Sequence, residues 1–276
     1  LAFEHAFEKN GGRIGSEEWV DAEDRYGPWF THYQEEYGND DLFIISEQGD
    51  VVYSVAKESD LGENLLKGSL RTSSLGISLS KATSDIGFGD FAPYAPSNGE
   101  PASFITAPVH VDGKRVGSIA LQISLGAINA IMQERTGLGE TGETYLVGKD
   151  KLMRSDSYLD PENHSVLASF ADPGKGSVDT KATREALAGT HGSEIIIDYN
   201  GNPVLSAYSP LSVGDTTWAI IAEIDKAEAF STVKALLMIF ATVGGIGVVL
   251  IILTALGITR SITRPINAVI DGMKSG

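Results

Sequence analysis

Asn98-Gly99-Glu100-Pro101 and Asn200-Gly201-Asn202-Pro203 are one phrase written twice, 102 positions apart. At the same offset Pro108 falls on Pro210 and Ile119-Ala120 on Ile221-Ala222. Upstream, the run Asp41–Ser46 falls on Glu143–Gly148. A repeat at a fixed period is the mark of one architecture used twice. Each copy carries its signals in one order. The first offers strands at Leu42–Ser46 and Val51–Lys57, parted by a Glu47-Gln48-Gly49-Asp50 turn. A helical, loop-rich middle follows at Leu61–Thr83, then strands at Gly87–Tyr94, Ser103–Val111 and Arg115–Ser124. The second reads Thr144–Gly148, Leu152–Asp156, a helix near Asp179–Ala188, and strands at Ser193–Tyr199, Pro203–Leu211 and Trp218–Ile224. Asn-Gly and Asp-Gly pairs between β-branched runs are hairpin chemistry. The expected class is therefore α+β, with two tandem antiparallel sheets that each carry helices on one face.

Working outward, residues 1–37 are polar, charged and aromatic, and read as a long helix interrupted at Gly11-Gly12 and Gly27-Pro28. The chain begins at Leu1 and not Met, so this helix is expected to be truncated, with a further membrane helix upstream. A short helix at Ile128–Arg135 joins the copies. From Ala235 to Ile258 there is no Asp, Glu, Lys or Arg, a run long enough to cross a bilayer core of about 30 Å. The net charge of −16 divides there: −18 up to Ile258 and +2 beyond it. A basic segment after the span favours a cytoplasmic C-terminus, with the acidic domain outside. The expected segments are 1–37 (N-terminal helix), 38–125 (first unit), 126–142 (connector), 143–225 (second unit), 226–258 (juxtamembrane and membrane helix) and 259–276.

The acidity excludes a nucleic-acid binder, which needs a basic stripe. Having no cysteine excludes disulfides and thiolate metal sites. The histidines His5, His32, His110, His164 and His191 are scattered without helical pairing, so no metal is expected. No cofactor is expected either. Gly137–Gly142 matches G-x-G-x-x-G but leaves a helix and enters a strand, the reverse of a dinucleotide loop. Asp198–Asn202 opens like a calcium loop but has Pro203 where glycine is needed, and reads as a hairpin turn. The acidic pairs Glu17-Glu18, Glu35-Glu36 and Asp40-Asp41 read as solvated faces, and no nucleophile elbow is present. The chain is not expected to be an enzyme.

Several phrases resemble the double Cache sensor module of bacterial methyl-accepting chemotaxis receptors, a pair of PAS-like units ahead of a membrane helix. They are Asp90–Pro96, Asn129–Arg135, Gly139–Val147 and Leu152–Asp156. Residues Arg260–Met273, with Pro265 and apolar Ile266, Val269, Ile270 and Met273, resemble the first helix of a HAMP domain. The resemblance implies an inner-membrane receptor with an extracytoplasmic sensor, a homodimer, a small-molecule partner and cytoplasmic chemotaxis proteins as downstream partners. A histidine kinase or nucleotide cyclase output is the alternative, and a membrane-anchored enzyme the remote one. The membrane-distal unit is the family's usual ligand site. There Tyr53, Arg71, Asp90, Tyr94 and Phe104 offer a cation, an anion and aromatic walls, which would suit an organic acid or amino acid. In the second copy Tyr145, Arg154, Ser155 and Tyr208 form a secondary candidate set, with Arg154 alternatively pairing Asp156. Small residues at Ala241, Gly244, Gly245 and Gly247 permit close approach of two membrane helices.

Overall fold

The computed structural model describes residues 1–274, so the last two residues of the HAMP-like segment lie outside the described residues. Two compact units are present, Leu1–Asp225 and Lys226–Gly276. The first opens with helix α1 (Ala2–Lys9) and helix α2 (Glu17–Tyr37), whose Ser16 cap accepts from the Trp19 amide. The break at Gly11-Gly12 is found as expected. Gly27-Pro28 instead lies inside α2. The helix runs through it, with Gly27 buried and the Tyr53 hydroxyl 3.4 Å from where a Cβ would stand.

Strands β1 (Asp41–Ile45) and β2 (Val51–Ser54) lead to a 3-10 turn (Ser69–Thr72) and helix α3 (Ser74–Lys81). Strands β3 (Gly87–Pro93), β4 (Pro101–Val111) and β5 (Lys114–Gln122) complete an antiparallel sheet of order β2-β1-β5-β4-β3. One face packs Phe43, Tyr94 and Phe104 against Leu75 and Leu79 of α3. The other side meets α1 and α2 through Phe3, Trp19 and Tyr53. After helix α4 (Leu125–Met132) the pattern returns: β6 (Glu143–Val147), the short helices α5 (Pro161–His164), α6 (Val166–Ala171), α7 (Pro173–Gly176) and α8 (Lys181–Leu187), then β7 (Gly192–Ile197), β8 (Pro203–Val213) and β9 (Thr216–Asp225). This second sheet has order β6-β9-β8-β7.

Leu152–Asp156, expected as a strand, forms only an isolated bridge between Val147 and Met153. Two backbone bonds tie it to the end of β6, from Gly148 N to the Leu152 carbonyl (2.9 Å) and from Arg154 N to the Leu146 carbonyl (2.8 Å). Side chains serve other groups: Met153 N donates to Ser169 Oγ at 3.1 Å, and the carbonyls of Leu152 and Met153 accept from Arg154. The ladder therefore stays at a single bridge.

The ladders also correct the repeat's spacing. At the hairpin tips Val111 pairs with Lys114 and Val213 with Thr216, which keeps the offset of 102. Val109 then pairs with Gly117, whereas Leu211 pairs with Trp218. Val116 is an extra residue, a β-bulge, and beyond it the two last strands match at 101, so Ala120 corresponds to Ile221 and Gln122 to Glu223. Gly117 makes the bulge possible. Its φ is +148°, and a Cβ there would lie 2.5 Å from the Ile45 carbonyl oxygen. Gly192, aligned with Asp90 by the offset alone, corresponds through the ladders to Gly87, since these residues pair with Tyr208 and Thr106.

The second compact unit is helical: α9 (Lys226–Ala229), α10 (Ser231–Ile258), a π-turn (Thr259–Thr263) and α11 (Arg264–Lys274). Helix α10 has 28 residues and, beyond Lys234 in its first turn, carries no charged side chain, as a membrane-spanning helix requires. Its threonines keep their hydroxyls off the surrounding phase, Thr242 donating to the Met238 carbonyl and Thr254 to that of Leu250, each at 2.8 Å. The π-turn falls just before Pro265, which has no N–H to give the ladder.

Candidate ligand site and the joint between the sheets

Of the five residues expected to share the first pocket, Tyr94 and Phe104 meet, with ring centroids 4.9 Å apart in the core beneath α3. Tyr53 belongs to the opposite side, against Phe3 (4.5 Å between centroids) and Phe30 (5.5 Å) on the N-terminal helices. Arg71 is exposed on the 3-10 turn. Asp90 leaves the pocket altogether. The β3–β4 register shifts between Gly89 and Ala92, and this bulge turns Asp90 toward the second sheet. A pairing of Arg71 with Asp90 across a bound zwitterion is thereby ruled out by placement.

Asp90 forms the centre of a joint between the sheets. Arg154 Nε donates to Asp90 Oδ1 at 2.8 Å and Arg154 Nη2 to Oδ2 at 3.1 Å, while the Trp218 indole donates to Oδ1 at 3.2 Å. Phe88 and Phe91, from the same strand, pack on Trp218. Arg154 also reaches Asp150 at 3.0 Å, rather than Asp156, which accepts from Val166 N and Asn129 Nδ2 instead. Burial opposes the Arg154 charge, but the hydrogen bonds it donates to Asp90 and Asp150 outweigh that and hold the guanidinium above its usual value. Ser155, also named as a pocket residue, accepts from Leu146 N, and Tyr208 donates to Glu194. The secondary set is thus divided, with Tyr145 and Tyr208 in the core beneath the helices and Arg154 turned to the joint.

The groups that remain in the first core are two carboxyls the sequence reading left on the surface or passed over. Asp60 is fully buried and accepts from the Tyr94 hydroxyl at 2.7 Å through Oδ2. Asp41 accepts through Oδ1 from the amides of Leu42 (2.7 Å), Val55 (3.0 Å) and Ala56 (2.9 Å). Asp60 Oδ1 and Asp41 Oδ2 are buried with no hydrogen-bond partner among the described residues. Asp41 had a signal: it matches Glu143 in the repeat, and Glu143 likewise accepts from the amides of Tyr158 and Leu159 after its own strand. Asp60 had none.

Burial pushes the Asp41 carboxyl up to about 7, with the Asp60 charge adding to it, and burial raises Asp60 as well. In the second sheet, burial pushes Glu223 up to about 7. A carboxyl raised in the folded state stabilises most below its unfolded pKa of about 4, and that contribution is lost as pH rises toward the folded value. Thermal unfolding followed by circular dichroism should therefore give a midpoint roughly 5 °C higher at pH 5.5 than at pH 7.5. Asp41→Asn and Glu223→Gln should each flatten that slope. A midpoint that rises with pH across this window would contradict it.

The Cache domain model matches residues 20–233, most of the chain. The protein belongs to the Cache domain family. The probable chemoreceptor y4sI of Sinorhizobium fredii (strain NBRC 101917 / NGR234) is 23% identical over 258 residues, covering 93% of this chain and 32% of the relative. The chain thus spans about a third of that protein's length. Among solved structures, the periplasmic sensory domain of the Campylobacter jejuni chemoreceptor Tlp1 has a TM-score of 0.48 at 16% identity, covering 73% of this chain and 77% of that one. The ligand-binding domain of the Pseudomonas aeruginosa PAO1 amino acid chemoreceptor PctB, in complex with L-Arg, has a TM-score of 0.47 at 17% identity, covering 71% and 75%. This Cache chain is thus a sensor domain followed by one helix long and apolar enough to cross a membrane.

Proposed function

We propose that this chain is the extracytoplasmic sensor and membrane anchor of a bacterial chemoreceptor, and that its first Cache unit binds a small molecule through a protonated amine. The observation that carries the ligand class is Asp60, buried beside Tyr94 with one oxygen unpartnered among the described residues and Asp41 in the same core. Two desolvated carboxyls with aromatic neighbours select a cation, because its positive charge restores what burial removed. A free carboxylate finds no guanidinium there, since Arg71 is outside and Arg154 is engaged by Asp90. The chemoreceptor reading is supported by the curated relative's name and by the HAMP-like segment. Dimer formation is supported by the aromatic row of exposed Trp29, half-buried Tyr33 and exposed Tyr37 on α2, with centroids 5.7 and 4.5 Å apart, and by the small residues of α10. Occupancy acts by binding two arrangements of the sheets with different affinity.

The test is a thermal-shift screen of the whole 276-residue chain in detergent against amines, amino acids and nitrogen-free organic acids. Stabilisation follows RT ln(1 + [L]/Kd), so millimolar ligand suffices for weak binders. Amine-bearing compounds should stabilise, and Asp60→Asn should weaken the best of them about tenfold or more, as for a lost hydrogen bond to a charged group. Stabilisation by nitrogen-free acids alone would overturn the reading.

A further inference from the structure

We propose that the second Cache unit holds a separate site for a small protonated amine, built from Glu223, Ser206 and Tyr145. The ladders place Glu223 on the central strand β9, directly between Glu143 on β6 and Ser206 on β8. Glu223 is 5% exposed and Ser206 0%. Tyr145 donates to Glu223 Oε2 at 2.8 Å. Glu223 Oε1 and Ser206 Oγ complete no hydrogen bond among the described residues, although the Ser206 hydroxyl is close enough to favour the charged carboxylate. Both lie on the face that α5–α8 cover, in line with buried Val204, Tyr208 and Ile221.

The first unit supplies an internal control. Its residues at the same three places are Phe43, Phe104 and Gln122, the two rings meeting edge to face at 5.8 Å. The fold is therefore built without this polar trio. Putting Glu223 directly opposite Glu143 is unfavourable, as like charges across a ladder repel. Glu143 has an architectural task, since its oxygens accept from Ser157, Tyr158, Leu159 and Tyr199 and its counterpart Asp41 does the same work. Glu223 has no such task. The change from phenylalanine to Ser206 also removes a ring from the layer between sheet and helices. What this leaves is a carboxyl oxygen, a hydroxyl and the rings of Tyr145 and Tyr199, which meet edge to face at 5.6 Å. That set of acceptors and π-faces fits the N–H donors of an ammonium group, and none of its members carries a positive charge for an anion.

The probe is methylammonium chloride, titrated calorimetrically into the whole chain in detergent against matched sodium chloride. The background is Asp60→Asn, which silences the first unit. Saturable binding should persist in that background and weaken about tenfold or more when Glu223→Gln is added, the amide being the residue the first unit uses. Ser206→Ala should loosen binding severalfold while shifting the unfolding midpoint little, because the hydroxyl completes no full hydrogen bond among the described residues. A purely structural role would give the opposite pair of results, and Ser206→Ala decides the matter should Glu223→Gln fold poorly. Absence of saturable binding in the Asp60→Asn chain, or binding indifferent to both substitutions, overturns the proposal. If Asp60→Asn alone changes nothing while Glu223→Gln removes all binding, the proposal stands and the amine site in the first unit falls.

Discussion

Arg154→Ala is expected to lower the unfolding midpoint of the Leu1–Asp225 unit by about 10 °C, the largest effect of any single charge removal in the protein. The side chain is 2% exposed and grips Asp90 with both ends of its fork. It also reaches Asp150 and lies over the Phe170 ring, 5.3 Å from its centroid. The guanidinium occupies the space a Cβ on Gly148 would take, at 2.2 Å. Truncation leaves a partly buried Asp90 without its counter-charge, Trp218 bonded to an unbalanced anion, and a hole above Gly148. Breaking such a pair from one side costs about 3–5 kcal/mol. Lysine should rescue little, since a single ammonium cannot match a two-pronged contact. Asp90→Ala should cost less, because Asp90 is 27% exposed. A double-mutant cycle measured by thermal or urea unfolding should show strong coupling between the two positions. Additive losses would mean that the joint does not act as a unit.

Gly89→Ala is the second large effect. A Cβ on Gly89 would stand 1.9 Å from the Ser74 carbonyl oxygen and 2.7 Å from its carbon, both in the backbone at the start of α3. No rotamer relieves a clash with backbone, so α3 must lift from β3. That movement breaks Ser74 Oγ to the Ala102 carbonyl (2.8 Å) and Ser78 to Thr106 (2.6 Å), and loosens Leu75 and Leu79. A loss of about 3 kcal/mol or more is expected, seen as a lowered urea midpoint. Because α3 roofs the core that holds Tyr94, the same variant should weaken amine binding in the first unit. A neutral Gly89→Ala would mean that helix and strand are not in the contact described.

The hairpins were legible because Asn-Gly and Asp-Gly carry their geometry in the residues themselves, and helix α10 because charge is absent from Ala235 to Ile258. The site was less so. Asp90 and Arg154 are 64 residues apart, and what joins them is a bulge in β3 that no local pattern announces. Each was assigned to its own pocket by composition, and each serves the contact between pockets. Asp41 sits beside Asp40 and looked like solvated charge, yet it is buried because two amides after β2 and that of Leu42 need an acceptor. Leu152–Asp156 has a strand's composition, but part of its backbone is taken by side chains, that of Arg154 within it and that of Ser169 beyond it. Long-range satisfaction of polar groups is what a linear reading could not supply.

The single added residue at Val116 has a practical meaning for protein engineering. Side chains on a strand alternate between faces, so a change of one position in alignment exchanges every inward residue for an outward one. A chimera that grafts the last strand of one Cache unit onto the other by the gapless repeat would turn Glu223 into the counterpart of Leu121, and would deliver a carboxylate to the wrong surface. Joining Gly117 to Trp218 as equivalent positions keeps parity, and it lets the chemistry of one half be transplanted into the scaffold of the other.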